Sequence, residues 1–333
     1  MNSATLTIRE ANPDTDYERA AALISAASVE PVTAKQIQGW DKNTPSGQIR
    51  RRMVATNADN EVIAYSQIQR FAKDVHTQSF YVWVTVDEAY RRQGIGAQMY
   101  DNAKAVAYEH GARELTSESL DNDPNSLRFA EKRGFRIHKH AFASRLDLTA
   151  FDEAPFVECI ARVEAMGIRF SSLAAEGNTP EAQFKLYTLN NQTAQDNPTL
   201  DHQEAFPAFE IFQHQVLNAD WFRADGQILA IEGEQYVGLG AIAMNGETAY
   251  SAFTGVDSAY RGRGLAQALK LLTVRFAIAN GARSLLTDND SQNAPMLRVN
   301  RKFGFKPETG MYKLLNKHFA SGAGRNVRIW LTV

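Results

Sequence analysis

The alternation of apolar and polar positions gives the first outline of the chain. Ser79-Phe80-Tyr81-Val82-Trp83-Val84-Thr85-Val86 is rich in β-branched and aromatic residues, and so is Ala249-Tyr250-Ser251-Ala252-Phe253-Thr254-Gly255-Val256. Both predict strands, because such side chains suit a pleated, half-buried surface. A short Arg/Gly stretch follows each, and then a helical period: Ile95, Met99, Ala103 and Val106 share one face, as do Leu265, Leu269, Leu272 and Phe276. Gly111 and Gly281 stand where C-terminal helix caps are expected. Short strands are predicted next, at 114–116 and 284–287. Upstream, 53–55 with 62–65 and 228–231 with 236–239 predict hairpins about Asp59-Asn60 and Glu232-Gly233-Glu234.

These paired predictions reflect an internal repeat. Val86-Asp87-Glu88-Ala89-Tyr90-Arg91-Arg92-Gln93-Gly94-Ile95-Gly96 returns as Val256-Asp257-Ser258-Ala259-Tyr260-Arg261-Gly262-Arg263-Gly264-Leu265-Ala266, an offset of 256 − 86 = 170. Gly111-Ala112-Arg113 returns as Gly281-Ala282-Arg283, and Lys132-Arg133-Gly134-Phe135 as Lys302-Phe303-Gly304-Phe305, each at the same offset. One offset over three blocks indicates a duplicated domain. The period is far longer than the roughly 20–50 residues of a solenoid repeat. The chain of 333 residues therefore reads as two mixed α/β domains, 1–150 and 163–333, joined by an ordered link at 151–162. Ala143-Ser144-Arg145-Leu146-Asp147-Leu148 is expected to close the first domain as a strand, and Gly167-Ile168-Arg169-Phe170 to open the second.

Composition narrows the function classes. Thirty-six Lys and Arg against 38 Asp and Glu give a net charge of −2, so no overall basic field favours nucleic acid or an anionic membrane. The single cysteine, Cys159, cannot form an intrachain disulfide and sits in an apolar-periodic stretch, which predicts a buried structural thiol. The N-terminus reads as a strand and not as a signal peptide, and no apolar run nears the roughly 18 residues of a membrane span. A cytoplasmic location is the expectation. No His/Cys spacing suggests a metal; His138 and His140, alternating on a predicted strand, read as structural.

The repeated loop carries the chemistry. A helix N-terminus has unpaired N–H groups and partial positive charge, and glycine lets a phosphate approach its backbone. Arginines beside it add charge-assisted hydrogen bonds. Arg91 to Gly96 and Arg261 to Ala266 each lie between a predicted strand and an amphipathic helix, which predicts a pyrophosphate cradle. Neither copy has the Gly-Lys-Ser/Thr of a nucleoside-triphosphate loop, and neither follows the first strand of a parallel sheet as a dinucleotide fingerprint does.

With these motifs in this order, each half resembles the GNAT superfamily of acetyl-CoA-dependent N-acetyltransferases in its two-domain form. The resemblance spans essentially the whole chain. It implies two tandem domains, each with a mixed, mostly antiparallel twisted sheet flanked by helices. It implies that Val256 offers backbone groups to the pantetheine arm, that Arg261, Gly262, Arg263, Gly264, Leu265 and Ala266 hold the pyrophosphate, and that Asn293 bonds the arm. Val86, Arg91, Arg92, Gln93, Gly94, Ile95 and Gly96 match in the first copy, but Asp123 replaces the asparagine (293 − 170 = 123). The tyrosine that many members place four residues before the Gly of Gly-Phe is replaced by Ala130 and Asn300.

The expected activity is transfer of an acetyl group from acetyl-CoA to an amine by direct attack. This needs a base, an oxyanion donor and an acid for the thiolate. A backbone N–H near Val256 is one donor candidate; Tyr250, Glu247, Asp288 and Tyr312 are catalytic candidates, with Glu118 in the first copy. The second copy matches the family pattern more fully and is expected to hold the active site. A pair of active copies, one active and one structural domain, and a non-catalytic acyl-CoA-binding or regulatory protein are the alternatives. The acceptor is a small-molecule or peptide amine, expected to be bound by 14–50 and 178–220. There Trp40, Trp221, Phe209 and Phe212 read as core, and Asp196-Asn197-Pro198 as a loop beside the acceptor. The protein is expected to be a monomer or homodimer.

Overall fold

The computed structural model describes residues 6–45, 47–71, 78–195, 207–317 and 319. In chain order its elements are β1 (Thr7–Glu10), α1 (Tyr17–Ser25), α2 (Ala34–Lys42), β2 (Ile49–Thr56), β3 (Val62–Arg70), β4 (Ser79–Val86), α3 (Ile95–Glu109), β5 (Glu114–Leu120), α4 (Pro124–Glu131) and β6 (Arg136–Asp147). There follow α5 (Val157–Glu164), β7 (Ile168–Ser172), α6 (Pro180–Ala194), α7 (Phe209–Phe212), β8 (Gln227–Glu232), β9 (Gln235–Asn245), β10 (Thr248–Val256), α8 (Leu265–Ala279), β11 (Ser284–Asp290), α9 (Ala294–Lys302), β12 (Lys306–Pro307) and β13 (Met311–Asn316).

Local chemistry fixes where these helices start. Thr33 and Gln36 form a reciprocal capping box at α2. Thr179 caps α6, with Pro180 in its first turn, where the missing N–H costs nothing. The hairpins and the paired strands after each helix also form as expected.

The chain divides into two compact units, but not at residue 150. The first unit is 1–140 with 309–333, and the second is 141–308. In the first, the strand order is β1-β2-β3-β4-β5-β13, antiparallel except for β4–β5. In the second it is β6-β11-β10-β9-β8-β7, antiparallel except for β10–β11, with β12 also on β6. The strand expected to close the first domain, 143–148, instead pairs with β11 through residues 141–147. Its equivalent at the offset (311 − 141 = 170) is β13, and this pairs with β5 in the first unit. The two repeated closing strands have exchanged units. Hydrophobicity cannot distinguish these partners, because equivalent strands offer the same alternation to either edge.

The core follows this exchange. In the first unit, Phe80, Val82, Tyr100, Ala103, Leu115 and Phe135 pack with Leu314 and Phe319. On the opposite face, Tyr17, Ala20, Ile37, Tyr65 and Trp83 pack together. In the second unit, Leu146, Cys159 and Val163 join Leu269, Val274, Leu285 and Phe303. The link expected at 151–162 thus belongs to the second unit's core; α5 is ordered, and burial raises the Cys159 thiol pKa, as befits a structural group. Phe212 is buried and Phe209 packs against Phe184 and Tyr187, but Trp40 and Trp221 are exposed (44% and 39%) and are not core residues. Asp196, Asn197 and Pro198 lie outside the described residues. Among the described residues no helix is long and apolar enough to cross a membrane.

Candidate active site

Strands β4 and β5 pair in parallel only from Ser79↔Glu114 to Tyr81↔Thr116. Beyond that the two strands part, and a cavity of about 400 Å³ opens in the first unit. Its walls include Val82 to Val86 of β4, Ser117 to Leu120 of β5, Tyr100 of α3, and Phe129 and Ala130 of α4. Arg91, Arg92, Gly94 and Gly96 stand at one end, so the repeated loop and the sheet opening form one continuous site.

The loop has the same geometry in both units. Asp87 and Asp257 accept from the N–H of Ala89 and Ala259, 2.9 Å each, fixing the turn that follows the strand. Arg91 Nε donates to the Val86 carbonyl at 3.0 Å, and Arg261 Nε to that of Val256 at 3.1 Å. Gly94 and Gly264 begin α3 and α8 in the left-handed region (φ 86° and 91°), and no side chain caps either helix. Ala97 and Gln98, like Gln267 and Ala268, donate to the Gly94 or Gly264 carbonyl, so the N–H groups that suit an anion are those at the very start of each helix. Arg92 takes positive φ (65°) where the second copy has Gly262 (78°), a strain that the first loop carries in a non-glycine residue. A Cβ on Gly96 would stand 3.4 Å from the Phe129 ring and 3.5 Å from Val86, ordinary contact distances, so an alanine such as Ala266 of the second copy would fit there.

Two of the expected site positions also shape the local fold. Asn293 accepts the Met296 N–H at 3.3 Å and Asp123 accepts those of Asn125 and Ser126 at 3.0 Å, so both side chains cap a helix. Burial raises the Asp123 carboxyl pKa, but the Ser126 and backbone hydrogen bonds outweigh it and hold the group below its usual value. At three matching positions the two units carry different side chains. Ala130 and Ser119 line the first cavity; their equivalents, Asn300 and Asn289, are buried and bonded to each other at 2.8 Å. Asn289 also donates to Ser144 at 2.9 Å. Tyr100 is matched by Lys270, which is fully buried and donates to Ser251 Oγ at 3.1 Å.

The catalytic candidates are distributed as follows. Glu118 lines the first cavity, beside the partly buried Tyr81, whose hydroxyl donates to it at 3.4 Å. Burial, and then the Glu118 charge, push the Tyr81 hydroxyl pKa well up, so it remains a neutral donor. Asp288 is the equivalent acid (288 − 170 = 118) and accepts from Tyr250 at 2.6 Å; burial and this bond raise the Tyr250 pKa. Glu247 is exposed in the turn before β10, at the opposite end of the strand from Val256. Tyr312 stands in the first unit, its ring 4.7 Å from that of His140, which bonds Asp121 at 2.9 Å. Sequence reasoning missed Lys313, which forms an ion pair with Glu118, and Trp83, which lines the cavity.

Comparison with known proteins agrees with this geometry. The model of the acetyltransferase (GNAT) family matches residues 22–135 and 192–305, two stretches at the same 170-residue offset. The chain belongs to this family and is an N-acetyltransferase. A mycothiol acetyltransferase from Corynebacterium glutamicum is 27% identical over 224 residues, 67% of this chain and 70% of that protein. Two solved structures share the fold: a GCN5-related N-acetyltransferase from Sphaerobacter thermophilus (18% identity, TM-score 0.63, 93% of this chain and 95% of that one) and a tandem GNAT protein from the clavulanic acid biosynthesis pathway (19%, 0.60, 93% and 98%).

Proposed function

We propose that the protein transfers an acetyl group from acetyl-CoA to a small-molecule or peptide amine in the first unit, and that the second unit is a closed copy. The supporting observation is the single cavity that joins the uncapped start of α3 to Glu118. The fit to acetyl-CoA is chemical: N–H groups and Arg91 at the loop suit a pyrophosphate, and the parted edge of β4 offers backbone groups to a strand-like arm. When bound, acetyl-CoA supplies the activated acetyl group. The Val86 end of β4 and the loop hold the arm. Glu118 accepts the proton lost by the attacking amine, directly or through water, with the Tyr81 hydroxyl fixing its orientation. The mycothiol acetyltransferase relative supports an acetyl acceptor of small size.

Calorimetry with acetyl-CoA tests the assignment. Ala97, in the first turn of α3, lines the cavity, and its equivalent in α8 is Gln267. The intact protein should bind one acetyl-CoA per chain, Ala97→Trp should lose it, and Gln267→Trp should keep it. Loss in Gln267→Trp alone would move the site to the second unit.

A further inference from the structure

Tyr100, on the second turn of α3, lines the first unit's cavity with only 5% of its surface exposed. Phe129 of α4 and Phe135 hold its ring edge-on, with centroids 6.5 and 6.3 Å away, and the Arg133 guanidinium stands 5.2 Å from its centre. Among the described residues its hydroxyl has no hydrogen-bond partner, yet it is not one of the polar atoms sealed from solvent. Most polar groups held this deeply are satisfied. The free donor therefore opens into the cavity that the residue lines. The α4 side chains packed with it, Leu127, Phe129 and Ala130, have nothing to donate.

The position of Tyr100 selects the ligand atom. Helix α3 runs back from the loop along β4: Ile95 and Met99 pack with Val84 and Val86, whereas Tyr100, Ala103 and Val106 pack with Phe80, Val82 and Leu115. Tyr100 is thus about 9 Å along the helix from Gly94, near Val82, the first residue of β4 beyond its paired stretch with β5. Glu118 reaches the same gap from the other face of the sheet. It bonds Tyr81 and stands opposite Lys313, and these positions alternate with the residues that face α3. A thioester in the gap therefore has the attacking amine and Glu118 on one face and Tyr100 on the other. The parted edge of β4 presents backbone N–H groups to the carbonyl oxygen, which leaves sulfur as the partner for Tyr100.

We infer that the Tyr100 hydroxyl donates a hydrogen bond to the sulfur of acetyl-CoA bound in the first unit and stabilises the thiolate as it departs. This rests on the assignment of acetyl-CoA to that cavity. In the step it assists, the amine nitrogen bonds to the carbonyl carbon and passes its proton to Glu118. The C–S bond then breaks with both its electrons left on sulfur, and the thiolate departs against the phenolic O–H. Tyr100 keeps its own proton: burial pushes its pKa up to about 12, against the pull of Arg133, well above the roughly 8.5 of an ordinary thiol. A fixed donor is worth more to a developing anion than to a neutral sulfur, and most where water is excluded.

The test needs no acceptor. Calorimetry compares CoA with acetyl-CoA from about pH 6.5 to about pH 10, across the ordinary thiol range. Free CoA becomes a thiolate over that span, whereas acetyl-CoA has no thiol to titrate. Glu118, Asp123 and the arginines of the wall meet both ligands alike, so the ratio of the two affinities reports the sulfur. As pH rises, that ratio should move toward CoA at least about fivefold further in wild type than in Tyr100→Phe, which keeps the ring packing. Ser117, whose hydroxyl also lacks a partner among the described residues, lines the cavity on the same face as Leu115 and is the control. Ser117→Ala should keep the wild-type response. Equal responses in wild type and Tyr100→Phe, or a response lost in Ser117→Ala instead, would overturn the inference. If neither ligand binds the wild-type protein, the assignment of the cavity fails and the inference falls with it.

Discussion

Lys313 of β13 reaches across to Glu118 of β5 and forms an ion pair with it, although 195 residues separate them in the chain. The strand register sets the two directly opposite each other. A carboxylate in the candidate site is therefore partnered from the far end of the sequence.

Removing the carboxylate should affect turnover and not cofactor binding. Glu118→Gln keeps the shape and a hydrogen-bond acceptor for Tyr81, but cannot take a proton. Steady-state release of CoA with any amine the enzyme accepts should fall by about 100-fold or more, with the acetyl-CoA Kd unchanged. Lys313 is half-exposed (48%), so Lys313→Met should cost less than about 1 kcal/mol in urea unfolding. A kcat retained in Glu118→Gln would remove it from the mechanism.

The exchanged strand makes a stability prediction that the linear domain boundary does not. Leu314 is buried (2%) in the first unit's core with Phe80, Leu115 and Phe135. Leu314→Ala should destabilise the unit containing residues 1–140 by about 2–5 kcal/mol, read as earlier loss of amide protection in β4 and β5 than in β10 and β11. A fragment cut at residue 150 should lack a cooperative unfolding transition, because it leaves the β5 edge unpaired.

The first cavity and its counterpart differ at a few positions, and one substitution tests whether that difference matters. Ala130→Asn introduces into the first cavity the side chain that Asn300 carries at the matching position of the second unit. Acetyl-CoA affinity should drop at least about tenfold by calorimetry, from lost space and an added buried polar group. In the second unit, Asn300→Ala strands the Asn289 carbonyl oxygen and should cost about 1–3 kcal/mol. Unchanged affinity in Ala130→Asn would mean that the cavity wall at α4 does not touch the cofactor.

Lys270 gives a pH signature. Burial alone depresses its ammonium from 10.5 to about 8, and among the described residues no carboxylate pairs with it. Below pH 8 the lysine is charged in both folded and unfolded chains, and the folded state carries the whole penalty, about 3 kcal/mol from that shift. Between about pH 8 and 10.5 the unfolded chain binds more protons, so stability rises with pH there. Lys270→Met should therefore be more stable than wild type at pH 7 by up to about 3 kcal/mol, with the gap closing by pH 10.5 in urea titrations. A constant gap across that range would show that Lys270 is not desolvated.

The sequence by itself determined each repeating unit. The β-branched run before the loop, the glycines at 94 and 264, and the helical period after them are local properties, set by backbone sterics and hydrophobic periodicity. They survive in both copies because a strand, a turn at positive φ and an amphipathic helix need only neighbouring residues. Glu118 and Asp288 were legible as acids on the correct strands for the same reason.

Tertiary structure decided the remainder. Which edge each closing strand joins depends on long-range pairing between interchangeable strands, so the position of 141–147 and of β13, and with them Lys313 and Tyr312, had no local signal. Motif completeness points to the second copy, whereas the space around a motif depends on packing. Ala130, Ser119 and Tyr100 line one cavity in the first unit although they come from three separate elements, and that juxtaposition exists only once those elements are packed together.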